Sequence, residues 1–451
     1  MVVVCWSVVV HNKNRPSGLS TSAFNIPCCE FDLHDYPECN RNFLQIVIVE
    51  RKPYISPSFS YVPLEETLEI LPRKKKLFIG IPKETSFQEN RVALTPEAVS
   101  VIVNSGHDVV VEQGAGEGSF YFDHDYSEAG ARIVYDKAEL YKATAIIKSA
   151  PISEQEVEWL QPNQVIFSPI HMPILKTEML EALMHKKIIA IAFESIKDDS
   201  GNYPIVRSMS EIAGATAILN AAKYLSNVHH GKGILLGGIS GVPPAQVLII
   251  GAGIVGEFAA RTALGLGATV KVFDNSIYRL MRLQNNVGHR LFTSVIEPVT
   301  LAEELANADV AVGALKPVSG ITPVVVTEGM VQAMKAGSII IDVSIDRGGC
   351  FETSRITTHE KPTFKQYDVI HYCVPNIASG VSRTASRAVS NVLMPILQES
   401  AESGGVEGLI QLKSGIRNGV YLYKGCVTNA PIAKRFGVKY TDLDLLLAAQ
   451  S

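Results

Sequence analysis

Four polar residues stand just beyond apolar runs that read as strands: Arg91 in ENRVALTP, His171 after VIFSPI, Asp346 in SIIIDVSID, and Asn376 in CVPNIAS. In alternating α/β chains ligands gather beyond the carboxyl ends of strands, which gives these positions their weight. A guanidinium at Arg91 can clamp a carboxylate through two parallel hydrogen bonds, as a lysine does less well. The alternative is an ordinary surface arginine. An imidazole at His171 titrates near neutral pH and suits general acid-base work, against the plainer reading of a hydrogen-bonding histidine at a strand end. Asp346, followed by Arg347-Gly348-Gly349, is expected to end its strand and hold a carboxylate over the cleft. Asp342, four residues earlier within the apolar run, has a structural reading. Asn376 can hydrogen-bond a ligand or cap its own loop.

A second group of residues defines where a ligand would lie. Residues 246–274 read QVLIIGAGIVGEFAARTALGLGATVKVFD. Gly251 permits a tight turn, Gly253 lets backbone approach a pyrophosphate, and Gly256 lets the following helix pack closely on its strand, with the helix-start N–H groups facing the phosphates. Asp274 lies 18 residues beyond Gly256, at the end of the next strand, where a carboxylate accepts from a ribose 2′-hydroxyl and repels a 2′-phosphate. The expected cofactor is therefore NAD rather than NADP. Glycine triplets occur in many loops; here strand, helix, second strand and acid follow in order.

The elements that must position these groups begin at Lys76. LFIGI reads as a short buried strand, Thr95 as an N-cap with Pro96 at the first helical position, and Gly106 as the close of that helix before the strand DVVVE. Ser153 and Glu156 have capping-box spacing, and VIFSPIH and IIAIAFES read as further strands. A glycine and proline loop, residues 237–246, feeds the glycine-turn strand. After Asp274, strands are expected over 309–315, 338–346 and 369–374 with helices between them, a second doubly wound α/β unit. From about Thr384 a long helix leads out, and the tail is expected to return to the first unit.

Length and composition narrow the classes. The 451 residues suggest two or three domains, and 47% hydrophobic content is ample for real cores. A net charge of -4 and one short basic run, residues 73–76, leave no electrostatic footprint for nucleic acid. No apolar run reaches about 18 residues, so no membrane-spanning helix is expected and the chain reads as soluble and cytoplasmic. Cys350, Cys373 and Cys426 read as reduced thiols. Cys28, Cys29 and Cys39 with His34 lack paired C-x-x-C spacing, so no metal is expected. Residues 1–76 show no sustained period, and their VVVCWSVVV start lacks the positive charge of a secretory leader. They are expected to form a poorly ordered extension without catalytic role.

Seven segments together carry a resemblance: IGIPKETSFQENRVALTP, EQGAGEGS, MSEIAG, GGISGVPPAQVLIIGAGIVGEFAA, IIDVSIDRGGCFETS, THEKPTF and HYCVPNIAS. From about Leu77 to the C-terminus the chain resembles alanine dehydrogenases, a family that shares its fold with the NAD-binding part of proton-translocating nicotinamide nucleotide transhydrogenases. The resemblance implies a substrate domain made of residues 77–204 and 383–451, a central Rossmann NAD-binding domain over 205–382, and a homo-oligomer, usually a hexamer. It implies conversion of L-alanine, NAD and water to pyruvate, ammonium and NADH. Carried across position by position, Arg91 matches the carboxylate-binding arginine, His171 the catalytic histidine and Asp346 the catalytic aspartate. Ser210, Asp274, Arg279 (usually lysine in the family), Leu315, Arg355 and Asn376 fall on cofactor-contact positions beside the three glycines.

One departure stands out. The family carries Lys-x-Lys-Glu-Pro ahead of the histidine, its second lysine binding substrate, where this chain has Lys148-Ser149-Ala150-Pro151. Ungapped, Lys148 aligns with the first lysine and Ala150 with the second; Lys148 is carried as a substrate-binding residue on the assumption of a local shift. The Lys-Ala-Pro form is closer to the transhydrogenase pattern, whereas His171 and the lack of an extra polar loop between Ala314 and Thr327 favour the dehydrogenase. Two other readings stay open: a transhydrogenase-like subunit passing hydride to a membrane partner, and a dehydrogenase of a larger amino acid.

Overall fold

The computed structural model describes residues 74–170, 175–316 and 320–449. All but the last three residues of the expected extension lie outside the described residues, as do His171, Cys28, Cys29, Cys39 and His34.

Fifteen strands form two sheets among the described residues. The chain first lays down β1 (Phe78–Ile81), β2 (Asp108–Glu112), β3 (Arg132–Val134), β4 (Ala145–Ile147), β5 (Val165–Ser168) and β6 (Ile189–Ala192). It then builds β7 (Gln246–Ile250), β8 (Thr269–Phe273), β9 (Phe292–Ser294), β10 (Val310–Gly313), β11 (Ile339–Asp342), β12 (Thr363–Gln366) and β13 (Val369–Tyr372). Finally β14 (Val420–Tyr423) and β15 (Cys426–Val427) return to the first sheet, β14 running antiparallel to β6. The first sheet has the order β15-β14-β6-β5-β4-β1-β2-β3 and the second β12-β13-β11-β10-β7-β8-β9. In both, the first strand of the unit lies centrally between its second and fourth, so the winding reverses beside it. A crevice opens at the carboxyl end of such a reversal, between β1 and β4 in one sheet and between β7 and β10 in the other.

Helices cover both faces of each sheet, which is why the central strands are short and buried throughout rather than alternating. Every residue of β4, β6, β10, β11 and β13 is buried. Two long helices bracket the second sheet in sequence. Pro204–Leu225 carries the chain into it and Ser382–Glu402 carries it out, and the two pack on each other. The helix Pro96–Asn104 starts at Thr95 with proline at its first position, and Ser153 and Glu156 close a reciprocal capping box on the helix Glu154–Trp159.

One expected strand is shorter than its apolar run suggests. SIIIDVSID pairs only as Ile339–Asp342, and residues Val343–Arg347 form a 3-10 turn. Asp342 causes the break, since its carboxylate accepts the Ser344 N–H at 3.0 Å and the Cys350 N–H at 2.9 Å and so pulls the backbone out of the sheet. Asp346 therefore rides on the turn rather than ending a strand. The runs expected over 309–315 and 369–374 likewise pair only as β10 and β13. Six short strands, β3, β4, β9, β12, β14 and β15, were not expected; at two to four residues each they carry too little period to read.

Gly251 has φ +117, a conformation an L side chain rarely adopts, and a Cβ at Gly256 would stand 1.8 Å from the Gly251 carbonyl oxygen. The turn and its helix thus fit only as glycine. Gly256→Ala is expected to lower the thermal midpoint read by calorimetry, because the helix Ile254–Gly265 must back away from β7.

Candidate active site

At the second crevice, Gly253 is the N-cap of the helix Ile254–Gly265, and a Cβ built on it meets no atom within 4 Å. The helix start therefore opens onto free space, as a pyrophosphate would require. Asp274, after β8, is 4% exposed; its Oδ2 accepts the Ala252 N–H at 2.8 Å and its Oδ1 the Ser276 N–H at 2.7 Å, locking the strand end to the glycine turn. The Arg279 guanidinium stands 3.7 Å from the same carboxylate. Across the reversal, the Leu315 carbonyl accepts from the Ser344 hydroxyl at 3.1 Å, tying the loop after β10 to the turn that carries Asp346. Ser210 donates to the Val206 carbonyl within its own helix at 2.7 Å. Arg355 stacks on Phe364 of β12, 4.0 Å from the ring centroid, at the opposite edge of the sheet from β8 and Asp274.

Three of the four polar residues read from strand ends meet in one hydrogen-bonded chain. Arg91 lies in the loop after β1 and Asn376 in the loop after β13, so each comes from the carboxyl end of a different sheet. Between them stands Glu89. Its Oε1 accepts Arg91 Nε at 2.7 Å and the Arg91 backbone N–H at 3.0 Å, while its Oε2 accepts Arg91 Nη2 at 2.5 Å and Asn376 Nδ2 at 3.0 Å. The Asn376 backbone N–H donates to Asp346 Oδ1 at 3.0 Å. Asn376 adopts φ 52, which asparagine tolerates better than most residues and which presents both donors at once. His171, the fourth, lies outside the described residues.

Serines hold the Arg91 loop in place. Ser379 accepts the Asn90 N–H at 3.0 Å and donates to the Gln88 carbonyl at 2.7 Å. From the helix Ser382–Glu402, Ser386 accepts the Val92 N–H at 2.9 Å and Ser390 the Thr95 N–H at 3.1 Å. These residues escaped the sequence reading, although Ser382, Ser386 and Ser390 recur every four residues and so line one helix face.

Lys148 has partners other than the substrate expected for it. It follows β4 at the first crevice, is 1% exposed, and lies 2.7 Å from Glu84 and 2.6 Å from Glu156. Burial alone would lower its pKa, but the two carboxylates outweigh burial and raise it, so the ammonium stays charged. One cation cannot offset two anions: burial pushes the Glu84 carboxyl up, whereas Lys148 and the Ser153 donors hold that of Glu156 down. Glu84 Oε1 also accepts the N–H groups of Ser149 at 2.5 Å and Ala150 at 3.1 Å. Lys148 is thus held by two internal carboxylates, and Ala150, itself 1% exposed, offers no replacement cation.

Glu194, beside the end of β6, accepts the N–H of Ile170, the residue before His171, at 2.8 Å. Its other oxygen is buried with no hydrogen-bond partner among the described residues. Burial pushes this carboxyl from 4.5 up to about 7.

Two stability measurements follow. Lys148→Met leaves Glu84 and Glu156 as buried carboxylates without their cation, at a cost of about 3–5 kcal/mol, and should lower the calorimetric midpoint sharply; an unchanged midpoint with weakened substrate binding would instead put the ammonium on the ligand. For Glu194 the folded pKa lies above the unfolded one, so its contribution is complete below pH 4.5 and is lost as pH rises through about 7. The loss amounts to up to about 3 kcal/mol. Glu194→Gln should flatten the fall in melting temperature over that window and leave the variant more stable than its parent at about pH 8.

Two cavities of about 550 and 490 Å³ lie under the 226–246 loop, at the amino end of β7 and hence away from the glycine turn. Among the described residues no helix is long and apolar enough to cross a membrane.

Comparison with known proteins agrees with this architecture. Residues 80–213 match the model described as alanine dehydrogenase/PNT, N-terminal domain, and residues 217–430 that of the C-terminal domain. The chain is 38% identical over 367 residues to alanine dehydrogenase 2 of Staphylococcus aureus strain USA300, covering 81% of this chain and 98% of that protein. Among solved structures, an L-alanine dehydrogenase superimposes with TM-score 0.75 at 33% identity, covering 80% of this chain and 99% of its own. A transhydrogenase from Sinorhizobium meliloti follows with TM-score 0.66 at 26% identity, covering 78% and 99%. Two α/β units wound in the same order, a glycine turn at one reversal and a polar chain bridging both sheets are thus features of a chain that belongs to the alanine dehydrogenase/PNT family.

Proposed function

We propose that the protein catalyses the reversible NAD-dependent oxidative deamination of L-alanine to pyruvate and ammonium. The observation that supports this reading is the chain Arg91–Glu89–Asn376–Asp346, which links the candidate carboxylate-binding cation from one sheet, through Glu89 and Asn376, to the candidate catalytic acid from the other. The open helix start at Gly253 and the Asp274 carboxylate fit a dinucleotide with a free 2′-hydroxyl. NAD held by the Gly251–Gly256 turn and Asp274 would supply the hydride acceptor.

The remaining work falls to side chains. Arg91 binds the alanine carboxylate and fixes the orientation of Cα, lowering the entropy cost of reaction. Asp346 holds and activates the water that attacks the imine, and His171 moves protons between the substrate nitrogen and oxygen. Ser210, Arg279, Leu315, Arg355 and Asn376 are assigned to the cofactor side by family position. Lys148 acts by anchoring the 148–151 loop. The resemblance also supports a cytoplasmic homohexamer.

Purified protein with NAD and a panel of amino acids, followed by NADH absorbance, should show turnover with L-alanine ahead of larger side chains. Preference for a larger side chain would change the substrate, and transfer between two nicotinamides without amino-acid oxidation would favour the transhydrogenase reading. His171→Ala should keep NADH affinity while turnover falls about a hundredfold or more; retained turnover would remove the histidine from the reaction.

A further inference from the structure

Glu89 has no place in the reaction as described, yet its carboxylate is fully engaged beside the cleft. It is 6% exposed, and each of its oxygens accepts two hydrogen bonds. Its pair with Arg91 is side-on, using Nε and Nη2. That geometry leaves the adjacent, end-on edge of the guanidinium, between Nη1 and Nη2, for a second carboxylate. The group now against Nη1 is the Met209 sulfur at 3.3 Å, a weak acceptor that a carboxylate oxygen would replace with gain.

We propose that Glu89 is a positioning residue for substrate: it grips Arg91 side-on, so that the free edge of the guanidinium faces the substrate carboxylate, and through Asn376 it ties that edge to the loop bearing Asp346. The assignment rests on Arg91 being the carboxylate site of the proposed reaction. An arginine carries several rotatable bonds, and restricting them before binding removes an ordering cost that substrate would otherwise bear. Competition between Glu89 and substrate for one edge of Arg91 makes the opposite prediction, since removing the competitor would tighten binding.

The test uses the full-length protein and three variants. Glu89→Gln keeps the size of the side chain but removes its charge. The expected results are a rise of about tenfold in the KM for L-alanine and a parallel rise in the Kd of pyruvate for the protein–NADH complex, read by NADH fluorescence. The Kd of NADH alone should stay within about twofold and kcat should change less than KM. Glu89→Asp, which keeps the charge on a shorter arm, should give an intermediate KM; it also serves if the glutamine variant folds poorly by its thermal midpoint. An unchanged or lowered KM in a folded Glu89→Gln variant overturns the proposal. Arg91→Lys is measured alongside: if it leaves alanine KM and pyruvate Kd unchanged, the carboxylate site is elsewhere and the reading beneath the proposal fails. If Arg91→Lys weakens both while Glu89→Gln does not, Arg91 stands and Glu89 alone is wrongly assigned. Parent protein that neither oxidises alanine nor binds pyruvate removes the reaction itself, and this assignment with it.

Discussion

The side-on pair of Glu89 with Arg91 is the contact on which the candidate site turns. A guanidinium held on one side has a defined free edge, whereas one held by nothing samples many rotamers. The same carboxylate reaches Asn376, whose backbone N–H reaches Asp346, so three side chains from distant parts of the sequence share one hydrogen-bonded frame. The serines of residues 379, 386 and 390 support that frame from behind by satisfying the backbone of the Arg91 loop, which would otherwise carry buried N–H groups with no acceptor.

The first crevice shows how the fold handles buried charge. Glu84, Lys148 and Glu156 are each almost wholly removed from water, an arrangement whose desolvation cost rivals its Coulombic gain. Its value lies in geometry: Glu84 binds the backbone of Ser149 and Ala150 and so fixes the path from β4 into the loop. A chain that keeps this anchor while carrying alanine at position 150 has one cation fewer in this loop than the Lys-x-Lys-Glu-Pro form.

Much of the fold could be read in the sequence because its signals are local. Gly251, Gly253, Gly256 and Asp274 follow one another within 24 residues, and each answers to a steric or hydrogen-bonding need of the turn. Strand ends were less legible. The run over 338–346 looks continuous because its residues are apolar, but Asp342 competes for the backbone of Ser344 and wins, so Asp346 lies on a turn. Glu89 was hidden for a different reason: its importance comes from Asn376, 287 residues away, and no local period reports such a contact. Lys148 could be located, but its partners could not, because the choice between a substrate and two internal carboxylates depends on how β1 and β4 lie side by side.

The order of the strands has a mechanical consequence. The chain builds six strands of one sheet, then the whole of the other, then comes back, so the backbone passes between the sheets twice, ahead of the helix Pro204–Leu225 and ahead of the helix Ser382–Glu402. The two helices that follow these crossings pack on each other. Among the described residues no inter-strand ladder joins the two sheets, so their junction includes side-chain hydrogen bonds such as that of Asn376 to Glu89 and those of Ser379 with Asn90 and Gln88.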